Sequence, residues 1–147
     1  MVEVTVKLRF ITPCLGGRRS HDENTPDIML RDHDGNVIFL ATWWKAILTY
    51  GAQAFSKHQN EVSKIQWDPV VDGVTTVYKR HYTEFKYKEH EAFREQSIIG
   101  VRAMLPDSIP VEDFQRILEL AGRYRGISHY GHDKGFGRFE VVEARKT

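Results

Sequence analysis

Residues 111–142 decide the fold of this chain, and they read VEDFQRILELAGRYRGISHYGHDKGFGRFEVV. The first half of this stretch has apolar residues at helical spacing: Val111, Phe114, Ile117, Leu118 and Ala121. Pro110 stands near the predicted helix start, where a missing N–H does no harm, and Gly122 is the predicted C-terminal stop. A glycine-rich loop follows, and residues 136–142 are predicted to form the last strand. The stretch therefore predicts a helix, a loop and a strand in succession.

The opposite end of the chain predicts a half-buried strand over Val2 to Phe10. Polar and apolar residues alternate there, which is typical of a strand with one face on a core. A helix with Thr42 as its N-cap is predicted next, with an apolar stripe at helical spacing: Trp44, Ile47, Leu48, Gly51 and Phe55. Gly51 is costly inside a helix, so we expect a neighbouring element to pack closely against it.

Two Asp-Gly pairs predict hairpins, because both residues tolerate positive φ. Asp34-Gly35 would join residues 28–30 to 37–40, and Asp72-Gly73 would join 64–71 to 74–78. Residues 97–105 are predicted to form a strand that Pro106 ends, whereas 88–96 are predicted to be a short helix or a loop. Once the two insertions, an N-terminal hairpin and a β-ribbon, are removed, the element order is βαββαβ. This order predicts an α+β, ferredoxin-like fold.

Composition bounds the class of protein. The 147 residues are 41% hydrophobic and 28% charged, with a net charge of +1, so we expect one globular domain over 1–147. The single cysteine, Cys14, allows no intrachain disulfide and is expected to be a small buried side chain. No stretch approaches a signal peptide or the roughly 20 apolar residues of a membrane span. We therefore expect a cytoplasmic protein without a membrane partner.

The glycine-rich loop, residues 126–138, is the best candidate for a binding surface. Its glycines allow positive φ and a close approach of another backbone, and they are Gly126, Gly131, Gly135 and Gly137. Cations surround it: Arg123, Arg125, Lys134 and Arg138. Stacking surfaces lie within it: His129, Tyr130 and Phe136. This combination suits a phosphate backbone with a stacked base, although a tight loop before an edge strand would also use such glycines.

Two further segments carry positive charge. One alternates cations with aromatic side chains, and the other has loop composition. Residues 78–88 alternate aromatic side chains with cations, namely Lys79, Arg80, Lys86 and Lys88. Such a segment suits contact with nucleic acid, or a ribbon that packs its aromatics on the core. Residues 15–27 have loop composition and carry Arg18 and Arg19. Together with the glycine loop, these segments form the predicted nucleic-acid-binding set.

The sequence GISHYGHDKGFGRFEVV, after a predicted helix that ends LAG, resembles the C-terminal glycine-rich loop of the RAMP superfamily. Residues 4–16 and 34–45 are similar to the family's N-terminal strand and its entry to the first helix, although Leu40 to Thr42 replace the usual proline and serine. RAMP proteins are RNA-binding components of CRISPR systems built on RRM-like ferredoxin folds. The resemblance implies a non-catalytic protein that binds single-stranded or CRISPR RNA, without a cofactor, inside a ribonucleoprotein complex.

Two alternatives stay open. Some RAMP proteins cleave RNA without metal by using a histidine as general acid or base, which makes His129 and His132 the candidates for an endoribonuclease. His21 and His33 are weaker candidates of the same kind. The other alternative is a protein-interaction module, such as a phage protein that acts on or within a CRISPR-type complex. No metal site is expected, because no ligand spacing in the chain is diagnostic.

Overall fold

The computed structural model describes residues 1–16, 27–79, 89–128 and 134–147, with the backbone alone at 78 and 79. Its strands are β1 (Val2–Phe10), β2 (Cys14–Leu15), β3 (Gln66–Trp67), β4 (Thr76–Lys79), β5 (Glu89–Phe93), β6 (Ile98–Leu105) and β7 (Phe139–Lys146). Its helices are α1 (Ala41–Phe55) and α2 (Val111–Tyr124), with a short 3₁₀ helix at Val62–Lys64.

The main sheet has the strand order β3-β6-β1-β7, and every neighbouring pair in it is antiparallel. Both helices bury their apolar stripes in the same core as the inner face of β1. This is the ferredoxin-like α+β arrangement, so the predicted fold class is confirmed. The alternation of β1 is also confirmed, since Val4, Val6, Leu8 and Phe10 are completely buried.

Two helical glycines set how closely the layers approach. A Cβ at Gly51 would overlap the carbonyl oxygen of Ile117 on α2, which confirms the predicted close packing. Gly122 was predicted to end α2, and that prediction is wrong, because α2 continues to Tyr124. A Cβ at Gly122 would instead overlap Phe139, so this glycine lets β7 lie directly against the helix.

The start of α1 and the start of β7 also differ from their predictions. Leu40 is the N-cap of α1 without a side-chain cap bond, so Thr42 lies inside the first turn. The last strand begins at Phe139 and not at 136, because residues 134–137 form the turn that precedes it. The hairpin around Asp34-Gly35 is confirmed as a short antiparallel pairing of Arg31 with Val37.

A second sheet, in the order β2-β5-β4, packs beside the first. The prediction of a helix or loop over 88–96 is therefore wrong, because β5 is a strand in the centre of this sheet. The prediction of a hairpin around Asp72-Gly73 is also wrong. The strands on either side of it, β3 and β4, belong to different sheets, and Asp72 bridges to Gly100 of β6. Phe93 joins the two sheets by stacking on Phe10, with ring centroids 5.8 Å apart.

Neither α1 nor α2 is long and apolar enough to cross a membrane, and the same holds for the rest of the described chain.

Candidate nucleic-acid interface

The flanks of the glycine loop, residues 126–128 and 134–138, close on each other. The N–H of Ile127 donates to the carbonyl of Gly137 at 2.8 Å. Gly126 and Gly137 have φ values of +79° and +80°, which L side chains rarely adopt. A Cβ at Gly126 would lie 2.8 Å from the carbonyl carbon of Gly137, and one at Gly137 would overlap the carbonyl of Ile127. These two glycines are therefore required for the two flanks to meet.

The turn after β1 holds the loop in place. The Thr12 hydroxyl donates to the carbonyl of Gly135 at 2.6 Å and accepts from the N–H of Arg138 at 2.9 Å. The Gly137 N–H donates to the carbonyl of Pro13 at 2.8 Å. A polar turn residue and a proline carbonyl thus satisfy the backbone of the loop where no regular strand pairing exists.

Gly135 differs from the other two glycines. Its φ is +91°, yet a Cβ there would meet nothing within 4 Å. Backbone conformation alone requires glycine at this position, and the space beside it is open. The exposed side chain of Lys134 is its neighbour.

The predicted cations of this region are exposed or partly exposed. Arg123 and Arg125 are exposed near the end of α2, and the Arg125 guanidinium lies 5.4 Å from the ring centroid of Tyr50. The Arg138 guanidinium donates to the carbonyl of Arg123 at 2.7 Å, which fixes one cation against the last turn of the helix. Phe136 is only 4% exposed, so its ring anchors the loop in the interior and offers no free face.

Strand β2 connects the glycine loop to the second sheet. Its Leu15 N–H donates to the Ser128 hydroxyl at 2.9 Å, and Leu15 pairs with Ala92 of β5 on the other side. Cys14 is completely buried, as predicted. Ser128, the last described residue before 129–133, therefore lies against β2.

Residues of β5 bond to Gly16 and Asp27, the described residues on either side of 17–26. The Gly16 N–H donates to the carbonyl of Glu91 at 2.6 Å, and the Asp27 N–H donates to that of Glu89 at 3.0 Å. The completely buried His90 donates from Nδ1 to the carbonyl of Gly16 at 3.1 Å. A Cβ at Gly16 would lie 2.7 Å from the backbone of Met29, so glycine is required at this crossing.

Glu91 continues this network with its side chain. Its carboxylate accepts from Arg31 at 2.6 Å and from the Met29 N–H at 2.9 Å. Burial opposes ionisation of Glu91, but the hydrogen bonds from Arg31 and Met29 outweigh it and hold the pKa of Glu91 below its ordinary value. Sequence reasoning missed this pair, because the two residues are far apart in the chain and nothing local links them.

The described residues that flank the three segments with predicted binding residues lie close together. Gly16 and Asp27, on either side of 17–26, bond to β5. Lys79 and Glu89, on either side of 80–88, face each other across β4 and β5, and Ser128, before 129–133, bonds to Leu15 of β2. The predicted residues inside these segments lie outside the described residues: Arg18, Arg19, Arg80, Lys86, Lys88, His129, Tyr130 and His132. Of Lys79, only the backbone is described.

The outer face of the main sheet is unlike the sheet of an RRM, on which aromatic residues stack bases. None of the outward residues of its two central strands is aromatic: Glu3, Thr5, Lys7, Arg9, Ile98, Gly100, Arg102 and Met104. Along β7, ion pairs satisfy the charges, since Arg9 lies 2.8 Å from Glu140 and Lys7 lies 3.9 Å from Glu143. The described outward residues of the two central strands therefore offer no stacking platform for a base.

The described residues contain no assembled acid–base centre for the glycine loop. His33 is exposed in its turn and lies 3.8 Å from the neighbouring Asp34, and His21 lies outside the described residues. Within the described ranges, no group of three or more His, Cys, Asp or Glu side chains could hold a metal ion.

Comparison with known proteins gives a fold but no family. The chain matches no protein-family model and no curated protein. It is similar, with a TM-score of 0.60 and 13% identity, to a chain in the cryo-EM structure of the Type III-B Cmr-beta bound to cognate target RNA; 98% of this chain is covered and 60% of that chain. It is also similar to a chain of a Type IV-B CRISPR complex, with a TM-score of 0.58 and 7% identity over 99% of this chain and 91% of that one. The chain thus spans about three-fifths of the first neighbour's length, and its fold is similar to the fold of these two chains.

Proposed function

We propose that the chain is a divergent RAMP-like protein that binds single-stranded RNA without cleaving it, as part of a CRISPR-type ribonucleoprotein complex. The first structural neighbour comes from an RNA-bound assembly, and the fold agrees with the resemblance of the glycine loop. The proposed contacts are the cations of the glycine-loop region and those of segments 17–26 and 79–88.

The observation that carries this proposal is the proximity of the described residues that flank three segments. Gly16, Asp27 and Glu89 are joined by hydrogen bonds through β5, and Ser128 joins the same region through β2. In the sequence, the segments next to these residues carry Arg and Lys at positions 18, 19, 80, 86 and 88. Positive charge attached to one end of a sheet supports binding of a polyanion, because each phosphate contact releases counterions.

The described part of the glycine loop supports the same ligand. Arg123, Arg125 and Lys134 are exposed beside it, and Gly135 leaves open space next to its backbone. Phe136 and Arg138 serve here to hold the loop, through burial and through the bond to the helix carbonyl. An RNA backbone would therefore meet exposed cations beside a loop that is fixed by hydrogen bonds to Thr12 and Pro13.

Salt dependence tests this function directly. Fluorescence anisotropy with a labelled polyuridine of about 20 nucleotides should show an affinity that falls steeply with salt. The logarithm of the association constant, plotted against the logarithm of the salt concentration, should have a negative slope of about 0.7 per phosphate contact. Replacing Arg123, Arg125 and Lys134 with alanine should reduce the magnitude of that slope by about 2. The control replaces Lys57, Lys64 and Arg116 with alanine, which changes the net charge equally at exposed positions elsewhere. A wild-type protein without affinity for RNA would refute the proposal and favour the protein-interaction module.

Incubation of labelled RNA with the same protein separates binding from cleavage. We expect the RNA to remain intact with the wild type and with a His129→Ala, His132→Ala variant. Cleavage by the wild type that the double variant abolishes would establish the endoribonuclease alternative instead.

A further inference from the structure

Gly100 lies in the middle of β6 with its missing side chain on the outer face of the sheet, opposite Lys7. Its φ is not in the left-handed region, so the backbone does not require glycine. A Cβ at Gly100 would meet only the Cβ and Oδ2 of Asp72, at 3.7 and 4.0 Å, which are ordinary contacts. Glycine weakens a strand interior, and it often marks a bulge or a place where a ligand or another backbone comes close. The backbone of Asp72 pairs with Gly100 at its side, but the space above the glycine on the outer face is open to a Cβ.

A groove of about 350 Å³ lies over Gly100. Gly73 and Ile98 line its apolar end, and Ile98 is 44% exposed although it lies in a central strand. Lys7, Asp72 and Arg102 line its polar side. A medium-sized apolar side chain would cover Ile98 and fill the hollow that the glycine leaves.

Arg102 is the positively charged side chain of this groove that has no ion pair among the described residues. On the β1–β7 half of the same face, Arg9 and Lys7 face glutamates of β7. Arg102 is exposed, and no ion pair joins it to another residue in the described ranges. A carboxylate from outside would complete the charge pattern of the face.

Acidic residues along the groove argue against a polyphosphate as the occupant. Asp72 lines it at one end, and a second groove of about 310 Å³ continues past Arg102 between Glu3 and Asp68. A nucleic-acid backbone would meet three carboxylates around two cations with one negative charge on every phosphate. A peptide that carries a single acidic side chain brings only one negative charge to Arg102, so it meets less repulsion.

We infer that this groove binds an extended segment of a partner protein, with an apolar side chain seated over Gly100 and an Asp or Glu paired with Arg102. The two positions are two residues apart in β6, about 6.8 Å, which is also the spacing of alternate residues in an extended peptide. The segment would therefore read apolar, any residue, acidic, in either direction. This inference does not depend on RNA binding, because it uses the face of the sheet and none of the cations of the glycine loop.

A random peptide library displayed on phage, selected against the immobilised full chain, tests this inference. We expect the wild type to enrich peptides with an apolar and an acidic residue two positions apart. Synthetic versions of these peptides should bind Arg102→Glu at least about ten-fold more weakly than the wild type. The control, Arg116→Glu on the exposed face of α2, should bind them unchanged.

The Gly100→Ala variant tests whether weaker peptide binding comes from a change in the groove or from a less stable fold. Because a methyl group fits there, this variant should unfold at a higher urea concentration than the wild type and still bind the peptides more weakly. The inference is overturned if no such peptides are enriched, or if the selected peptides bind Gly100→Ala and Arg102→Glu as well as the wild type. Weaker RNA binding by Arg102→Glu, with no peptide enriched, would assign the groove to RNA.

Discussion

At the scale of single residues, the glycine loop depends on positions that no other residue can occupy. Gly137→Ala adds a methyl group that overlaps the Ile127 carbonyl at a φ of +80°. Strain and overlap together should lower the free energy of unfolding by about 3 kcal/mol. Gly135→Ala is the matched control, because φ is +91° there but the space is open, and it should cost about 1 kcal/mol. Urea unfolding measures both, and equal losses would show that the overlap is relieved by a small shift.

Glu91 makes stability depend on pH. The pKa of this carboxyl is lowered in the folded protein, against the effect of burial, by hydrogen bonds from Arg31 and Met29. A lowered pKa means that the stabilisation is complete above the unfolded pKa, near 4.3, and is lost as the pH falls through the folded pKa. Comparing urea midpoints from pH 7 downward, we expect Glu91→Gln to be less stable at neutral pH and to lose less stability on acidification. Parallel pH profiles for the two proteins would contradict this account.

At the scale of elements, Gly51 decides how α1 meets α2. Helix propensity alone predicts that Gly51→Ala would stabilise the protein by about 1 kcal/mol. The structure predicts the opposite sign, because the added Cβ would overlap the Ile117 carbonyl; we expect a net loss of about 2 kcal/mol in urea unfolding. The exposed Ala46 of the same helix is the control, and Ala46→Gly should cost about 1 kcal/mol. Stabilisation by Gly51→Ala would mean that the helices separate easily.

Elements with a clear period could be predicted from the sequence, but the partners of short strands could not. The alternation over Val2 to Phe10 and the stripe of α2 each follow from one side facing a core. An Asp-Gly pair indicates only that the chain turns, so it could not reveal that Asp72 joins β6 while the next strand enters another sheet. Strand β5 was missed because its sequence, EHEAF, places a histidine inside, and the carbonyl of Gly16 that satisfies His90 is distant in sequence.

The candidate site was predictable to a similar degree. Glycines that allow close approach were expected in the loop, and Gly126 and Gly137 have that role. Phe136 could not be placed, because an aromatic residue in a glycine-rich segment is equally compatible with stacking on a ligand and with anchoring the loop. The hydrogen bonds of Glu91 and Leu15 to Gly16, Asp27 and Ser128 are long-range, so no local pattern reports them.

At the scale of the whole molecule, the structure predicts that fold and RNA binding can be separated. Lys79 and Glu89 face each other across β4 and β5, so an Asn-Gly turn can replace residues 80–88 without changing the register. We expect this variant to keep its circular dichroism spectrum and its urea midpoint. The dependence of its polyuridine affinity on salt, as the slope of the logarithmic plot, should fall by about 2, since Arg80, Lys86 and Lys88 are removed. An unchanged slope would show that residues 80–88 do not contact RNA.

The position of β1 in the sheet has a consequence for how the protein folds during synthesis. This strand is made before both of its neighbours, which are β6, where Val2 faces Leu105, and β7, where Phe10 faces Phe139. Pairings so distant in sequence close slowly, and one flank of β1 has no partner until β7 has left the ribosome. During that interval an alternating apolar strand is exposed to other chains. Yield in a cell should therefore respond more to chaperones and to temperature during translation than to the stability of the finished protein.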